Sequence, residues 1–118
     1  MARVLIAEDE AFTALALVEA LEELGHFVAE AADGTDAIAL IDSFRPEVLV
    51  TDLMMAGHDG AALIRHMREA LPAPIPVIVI TGVPESKLPE DMTFDAYLGK
   101  PVDHVLLGQL VERLTASS

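Results

Sequence analysis

The sequence contains no cysteine, no tryptophan and few basic residues, and each shortage excludes a class of protein. Without cysteine the chain cannot form a disulfide framework, a thiolate metal site or a cysteine nucleophile. Seven Lys and Arg residues against 20 Asp and Glu residues give a net charge of −13. We therefore expect no direct binding to nucleic acid or to an anionic membrane surface. No apolar run reaches the ~18 residues that suggest a transmembrane helix.

The chain does contain enough apolar sequence for one folded domain. Hydrophobic residues make up 53% of its 118 residues, which excludes intrinsic disorder despite the charge. Because a chain of this length corresponds to about one domain, we expect a single domain over residues 1–118. The first residues lack the basic and apolar regions of a signal peptide, and we expect a cytoplasmic protein.

Short β-branched runs alternate along the chain with longer segments of helical character. The runs predict five strands, at residues 4–7, 27–29, 48–51, 77–80 and 96–98. The longer segments predict helices at residues 11–24, 35–44, 60–71 and 103–116. Gly25 is a predicted helix stop and Asp103 a predicted N-cap.

This alternation predicts an α/β fold, a doubly wound (βα)5 arrangement with a five-stranded parallel sheet and helices on both faces. The weak point is the segment 83–95, which contains Pro84 and Pro89. Proline interrupts helices, so we expect a short or irregular fourth helix there.

Polar residues follow four of the five predicted strands. Glu8 and Asp9 come after the first strand, Asp52 and Thr81 end the third and fourth, and Lys100 follows the fifth. Ligands of open α/β sheets bind beyond the carboxyl ends of the strands. We therefore expect these five side chains to lie close together at one edge of the sheet.

Three clustered carboxylates predict a metal site. Two unit charges at ~4 Å repel by about 4 kcal/mol at an effective dielectric constant near 20, so Glu8, Asp9 and Asp52 need a cation or must bind protons. A site made of oxygen ligands suits Mg²⁺. Lys100 and the Thr81 hydroxyl can hold a phosphoryl group, and Asp52 is a candidate carboxylate nucleophile toward phosphorus.

Together these motifs resemble the receiver domain of two-component response regulators, of the chemotaxis-regulator type, and in particular a stand-alone single-domain receiver. The matching segments are residues 7–10, 50–55, 59–60, 80–82 and 100–101. The resemblance covers residues 3–114. It implies the flavodoxin-like strand order 2-1-3-4-5.

The resemblance implies a phosphorylation-dependent signalling switch with Asp52 as the phosphoacceptor. The donor would be the phosphohistidine of a sensor histidine kinase or a histidine phosphotransfer protein. Mg²⁺ would be bound by Asp9, Asp52 and the backbone carbonyl of Met54, with help from Glu8. Catalysis would be limited to phosphoryl acceptance and autodephosphorylation at Asp52. Autodephosphorylation would be slow, because Met54 and Val83 offer no polar side chain to orient an attacking water.

The resemblance also implies how phosphorylation is read out. Lys100 and Thr81 would bind the phosphoryl oxygens, and Thr81 and Tyr97 would be the switch residues. The surface of the fourth helix, fifth strand and last helix would change for an unknown downstream protein or for a phosphorelay. The peptide bond before Pro101 would be cis. The chain departs from the family at Ala56, where proline is usual, and in the shortened segment between Thr81 and Lys100.

Other interpretations stay open at this point. A pseudo-receiver that is never phosphorylated usually lacks the acceptor or the lysine, and this chain has both Asp52 and Lys100. One receiver domain of a larger regulator would carry the same motifs. A phosphatase of the haloacid dehalogenase type would need a second aspartate where the chain has Met54. A flavodoxin-like nucleotide binder would need a Gly-, Ser- or Thr-rich loop after the first strand, and this loop is acidic.

Outside the predicted site, two sets of side chains bear on partners. The first helix carries Phe12, Leu15, Leu17 and Val18, which cannot all face one sheet, so we expect part of it to meet a partner. The resemblance implies that this partner is the phosphodonor, and a second copy in a homodimer is the alternative. The histidines are expected at the surface, and they are His26, His58, His66 and His104.

Overall fold

A computed structural model describes residues 1–53, 60–71, 74–90 and 92–116 of the chain. The strands are β1 (Arg3–Ala7), β2 (Phe27–Ala31), β3 (Val48–Asp52), β4 (Val77–Thr81) and β5 (Ala96–Gly99). The α-helices are α1 (Ala11–Glu23), α2 (Gly34–Phe44), α3 (Gly60–Ala70) and α4 (His104–Thr115). All strand pairs are parallel and the order is β2-β1-β3-β4-β5. The predicted (βα)5 fold and its strand order are confirmed.

The two faces of the sheet each carry a separate apolar core. Helices α1 and α4 cover one face, where Leu17, Leu21 and Leu107 are fully buried. Helices α2 and α3 cover the other, with Ile41 and Leu63 at its centre. Every residue of β3 and β4 is buried, which explains why these central strands are continuous apolar runs.

Local signals set the helix ends much as predicted. Asp103 caps α4 by accepting a hydrogen bond from the Leu106 amide at 3.1 Å. Helix α1 ends before Gly25, whose φ of 91° lies in the left-handed region that favours glycine. Both the predicted N-cap and the predicted helix stop are confirmed.

The segment between β4 and β5 has very little helix. Within its described residues, only Glu85–Lys87 forms a 3₁₀ turn. Leu88, Met92 and Phe94 of this segment pack onto the core beneath α2 and α3, which we call the second core. The expectation of a short or irregular fourth helix is confirmed, and the last helix in the chain is therefore α4.

Among the described residues, none of the helices combines the length and the apolar character that crossing a membrane requires.

Candidate functional site

The strand register gathers the predicted polar residues at the carboxyl edge of the sheet. Ala7 at the end of β1 lies opposite Thr51, so Glu8 and Asp52 follow on neighbouring strands. Asp52 lies opposite Ile80, just before Thr81. Lys100 comes directly after β5, and its amide donates to the Thr81 carbonyl at 2.9 Å. The peptide bond from Lys100 to Pro101 is cis.

Lys100 is the centre of the charge arrangement at this edge. Its Nζ lies 2.5 Å from Glu8 Oε1 and 2.9 Å from Asp52 Oδ2. Burial alone would lower the pKa of Lys100, but the hydrogen bonds to the Glu8 and Asp52 carboxylates outweigh it and raise the pKa above its ordinary value. The ammonium group is thus held in its charged form between the two carboxylates.

Glu8 is the most deeply buried acidic group described, with 2% of its surface exposed. Burial raises the pKa of Glu8 above its ordinary value, and the negative charge of Asp52 acts in the same direction. The hydrogen bonds from Lys100 and from the Glu10 amide, the latter 3.0 Å long, oppose that rise. Burying the Glu8 carboxyl group beside Asp52 is unfavourable for the stability of the fold. Its presence here therefore indicates a functional role.

Glu10 does not join this cluster, although it follows Glu8 and Asp9 in the sequence. Its side chain is the N-cap of α1 and accepts from the Thr13 amide at 2.9 Å. A hydrogen bond from the Thr13 hydroxyl lowers the pKa of Glu10. The acidic run after β1 therefore divides into residues of the site and a residue that starts the next helix.

The carboxylates of Glu8, Asp9 and Asp52 are close enough to share one cation. One oxygen from each lies within 4.8 Å of the others. Asp9 is exposed, whereas Asp52 is 6% exposed, so the cluster is open to solvent on one side. An all-oxygen set of hard ligands with open positions fits Mg²⁺. The predicted fourth contributor, the Met54 carbonyl, lies outside the described residues.

Thr81 and Tyr97 are linked through the backbone of Val83. The Thr81 hydroxyl is buried and accepts from the Val83 amide at 3.1 Å. The Tyr97 hydroxyl donates to the Val83 carbonyl at 2.5 Å. The half-buried Tyr97 ring packs on the second core. Val83 thus connects the two hydroxyl groups, through its amide to Thr81 and through its carbonyl to Tyr97.

Gly60 supports the end of β3 from the first turn of α3. Its amide donates to the Leu53 carbonyl at 2.8 Å. A Cβ atom at this position would lie 2.6 Å from the Asp52 carbonyl oxygen and 2.8 Å from the Leu53 Cα. The close approach of two backbone segments thus requires glycine, a role that the sequence motif alone did not specify.

The expectation that the histidines lie at the surface is wrong for His26. This residue is 7% exposed, and its Nδ1 accepts a hydrogen bond from the Ala2 amide at 3.0 Å. His104 is exposed and His66 is partly buried, while His58 lies outside the described residues. A lone histidine beside a helix stop carries no sequence signal for burial, so the error could not have been avoided from the pattern.

Sequence comparisons match the chain to one protein family and to relatives of known name. The family described as response regulator receiver domain matches residues 4–112. The protein PilH of Pseudomonas aeruginosa is 32% identical, over 98% of this chain and 99% of PilH. The transcriptional regulatory protein PdtaR of Mycobacterium tuberculosis is 38% identical over 84% of this chain, and the match spans only about half (49%) of PdtaR.

Solved structures agree with the sequence comparisons. The receiver domain of the Francisella response regulator 1452 superposes with a TM-score of 0.86 at 28% identity, covering 99% of this chain and 98% of that one. The receiver domain of the hybrid histidine kinase CckA gives a TM-score of 0.81 at 30% identity, covering 96% of this chain and 98% of that one.

Proposed function

Because the chain belongs to the response regulator receiver domain family, we propose that it is a phosphorylation-dependent signalling switch with Asp52 as the phosphoacceptor. The observation that carries the proposal is the placement of Asp52. Its carboxylate lies at a strand end with Lys100 2.9 Å away and with two further carboxylates in reach of the same cation. This set can bind, orient and neutralise a phosphoryl group.

The donor is the phosphohistidine of a sensor histidine kinase or a histidine phosphotransfer protein. One carboxylate oxygen of Asp52 attacks phosphorus and forms an O–P bond. The P–N bond of the donor breaks, and its electron pair goes to the imidazole nitrogen. Later, water attacks the same phosphorus atom, inorganic phosphate leaves and the Asp52 carboxylate is restored.

Glu8, Asp9 and Asp52, together with the carbonyl of Met54, are the residues that would hold Mg²⁺. When bound, the ion supplies positive charge to the transferring oxygens. The chain's own contribution is the arrangement of the ligands. Glu8 is fixed by Lys100 and by the Glu10 amide, so its carboxylate stays oriented toward the cluster even though burial disfavours its charge.

Lys100 and Thr81 hold the phosphoryl oxygens in this mechanism. Lys100 already contacts Asp52. Its ammonium group can change its ion-pair partner from the Asp52 carboxylate to the new phosphoryl group. A rotation of the Thr81 side chain toward a phosphoryl oxygen would break the hydrogen bond that its hydroxyl accepts from the Val83 amide. That change acts on the Val83 carbonyl, which accepts from Tyr97, and so Thr81 and Tyr97 form the switch.

The switch is read out on the side of β5 and α4. The helix expected between β4 and β5 is reduced to the turn Glu85–Lys87. This surface is therefore formed mainly by β5, including Tyr97, and by the last helix, α4. A downstream protein would bind there, or the phosphoryl group would pass on in a phosphorelay. We further propose that residues 1–118 form one receiver domain that acts in the cytoplasm.

The phosphodonor docks beside Lys100, on the exposed apolar start of α1. Phe12 is 84% exposed and Leu15 is 52% exposed. Phe12 lines a groove together with Lys100, Pro101 and Val102. An apolar surface that reaches the phosphoacceptor side of the molecule can position a donor histidine close to Asp52. A homodimer that covers the same residues would compete with the donor.

Autodephosphorylation is slow because the side chain at Val83 cannot orient water, and we expect the same of Met54. Replacing both, as Met54→Asn with Val83→Glu, should shorten the lifetime of phospho-Asp52. The lifetime is measured from the decay of the phosphorylated mass after removal of the donor. An unchanged lifetime would show that these positions do not control hydrolysis.

The proposed function is tested by incubation with acetyl phosphate and Mg²⁺, followed by intact mass spectrometry. The wild type should gain the mass of one phosphoryl group, and Asp52→Asn should gain none. Asp42→Asn is the matched control, since Asp42 is an exposed acidic residue of α2. A phosphoryl group on Asp52→Asn, or none on the wild type, would contradict the proposal and favour a pseudo-receiver.

A further inference from the structure

A second groove lies away from the phosphoacceptor, between α3 and the segment that follows the 3₁₀ turn. Its volume is about 380 Å³, and its lining includes Ala61, Ile64 and Arg65 of α3, with Met92 and Thr93 opposite. The groove exists because the described part of the segment between β4 and β5 is helical only at Glu85–Lys87. A full helix would occupy more of this flank of α3.

The base of the groove is apolar. Ile64 is 4% exposed and belongs to the second core, and Met92 packs against the same core from the other side. Ala61 adds a small side chain near the start of the groove. The groove can therefore receive apolar side chains without burying a charge beneath them.

Two arginines of α3 line the groove, on a molecule that is otherwise strongly acidic. Residues 4–44 contain ten acidic residues and no Lys or Arg. In the groove, Arg65 is exposed and Arg68 is partly buried. Among the described residues of the lining, Glu69 is the one acidic residue, and it is exposed. The groove therefore differs in charge from the α1 and α2 side of the protein.

Neither arginine forms an ion pair with any described residue. Arg68 makes one long hydrogen bond, from Nη2 to the Thr93 carbonyl at 3.5 Å. Its Nε is buried and has no hydrogen-bond partner in the part of the chain described here. A buried donor without an acceptor is unfavourable, and a carboxylate placed in the groove would satisfy it.

From these observations we propose that the groove binds an acidic amphipathic segment of a partner protein. Apolar side chains of that segment would pack on Ile64 and Met92, and its carboxylates would pair with Arg65 and Arg68. Arginine suits this role because its planar guanidinium can bind a carboxylate through two hydrogen bonds. An amphipathic helix laid in a groove with one charged margin is a common mode of peptide recognition.

This proposal does not rest on phosphorylation. Neither Asp52 nor Lys100 lines the groove, and the two arginines take no part in the proposed transfer. Binding should therefore survive in Asp52→Asn. Failure of the proposed phosphoryl transfer and failure of this groove to bind are separate results.

The test uses a fluorescein-labelled peptide of about 15 residues in which Leu recurs at every third or fourth position and Glu fills most others. Fluorescence anisotropy measures its affinity for the full chain. The double variant Arg65→Ala with Arg68→Ala should weaken binding about tenfold, since it removes two charge-assisted contacts. Arg65→Ala alone should also weaken it, and this exposed side chain can be removed with little risk to folding.

The matched control is Lys87→Ala with Arg113→Ala. Both residues are exposed and lie outside the groove, and the net charge changes by the same amount. This control should bind the peptide nearly as well as the wild type. A peptide with Gln in place of Glu, and a scrambled peptide of the same composition, should both bind weakly.

Amide NMR shifts of the wild type locate the peptide. They should centre on Ala61, Ile64 and Thr93. Equal binding by the double arginine variant and the wild type would overturn the proposal, as would shifts confined to α1 and α4. Self-association that depends on Arg65 and Arg68, without peptide binding, would also overturn it, because the occupant would then be a second copy of the chain.

Discussion

The two edges of the sheet handle buried polar groups in opposite ways. At the carboxyl edge, Glu8 and Asp52 are both buried, and both depend on Lys100 for a countercharge. At the amino edge the buried polar side chain is His26, and its partner is the Ala2 amide. Burial lowers the pKa of His26, with help from the N-terminal charge and against Glu112 and Glu47, so the ring stays neutral.

The two edges thus differ in whether their buried polar groups carry charge. At the amino edge, the neutral His26 ring accepts from the Ala2 amide and buries no charge, although its Nε2 has no hydrogen-bond partner among the described residues. The carboxyl edge instead keeps like charges together, which is unfavourable unless a cation and a phosphoryl group bind there. Four predictions test that contrast in the order of expected effect.

The largest effect comes from backbone packing at the carboxyl edge. Gly60→Ala should lower the free energy of unfolding by about 2–3 kcal/mol, because the new methyl group meets backbone atoms that cannot move aside. Gly108→Ala, toward the amino edge, meets only the end of the Leu24 side chain at 2.6 Å. That variant should range from unchanged to about 1 kcal/mol more stable, through helix propensity.

Urea unfolding followed by circular dichroism measures both glycine variants. Gly82→Ala serves as a further control near the site, since a Cβ there would meet nothing within 4 Å. If Gly60→Ala were as stable as Gly82→Ala, the close approach of α3 to the end of β3 would not constrain the site.

Removing the countercharge at the carboxyl edge should have the next largest effect. Lys100→Ala leaves two buried carboxylates facing each other and should cost about 2 kcal/mol of stability without metal. Added Mg²⁺ should stabilise this variant more than it stabilises the wild type, because the ion replaces the missing charge. Thermal unfolding with and without Mg²⁺ tests both points, and Lys87→Ala, exposed on the 3₁₀ turn, should change neither.

The stability that His26 contributes at the amino edge should fall at low pH. Because the pKa of His26 is lowered in the folded state, the unfolded chain binds the proton first. The stability that the neutral ring contributes is complete above the ordinary value of about 6.5 and is lost as the pH falls below it. Between pH 7 and pH 5.5 the wild type should therefore lose stability.

His26→Asn keeps an acceptor for the Ala2 amide but cannot titrate in this range. Its stability should fall less than that of the wild type over the same pH interval, as measured by urea unfolding at each pH. Parallel curves for the two proteins would mean that His26 already carries its proton, or never binds one, throughout that range.

The smallest effect concerns the link between Thr81 and Tyr97. Tyr97→Phe removes the hydrogen bond to the Val83 carbonyl and should lower stability by about 0.5–1 kcal/mol. Phosphoryl uptake from acetyl phosphate should stay near the wild-type rate, since Tyr97 does not contact Asp52 among the hydrogen bonds described. A strong loss of uptake would place Tyr97 in the transfer itself and not in its readout.

Much of the fold was predictable because its signals are local. The buried runs of β3 and β4, the stop at Gly25 and the cap at Asp103 each depend on neighbours in sequence. The strand-end rule then placed Glu8, Asp52 and Lys100 at one edge. The strand order itself came from the family resemblance and not from the pattern.

The features that were missed depend on contacts between distant segments. The buried His26 is bound by the Ala2 amide, which lies 24 positions away in the sequence. Gly60 is constrained by the backbone at the end of β3. The Val83 carbonyl accepts a hydrogen bond from the Tyr97 hydroxyl, 14 positions away. The groove beside Arg65 and Arg68 likewise appears only when α3 and the segment after the 3₁₀ turn are placed side by side.

The most direct test of the carboxyl edge as a phosphoacceptor site is amide NMR with Mg²⁺ and BeF₃⁻, which mimics an acyl phosphate on aspartate. In the wild type, amide shifts should appear around Asp52 and extend through Thr81 and Val83 to Tyr97. In Asp52→Asn they should be absent. Shifts that persist in Asp52→Asn, or a wild type that does not respond at all, would contradict the assignment of Asp52 as the acceptor.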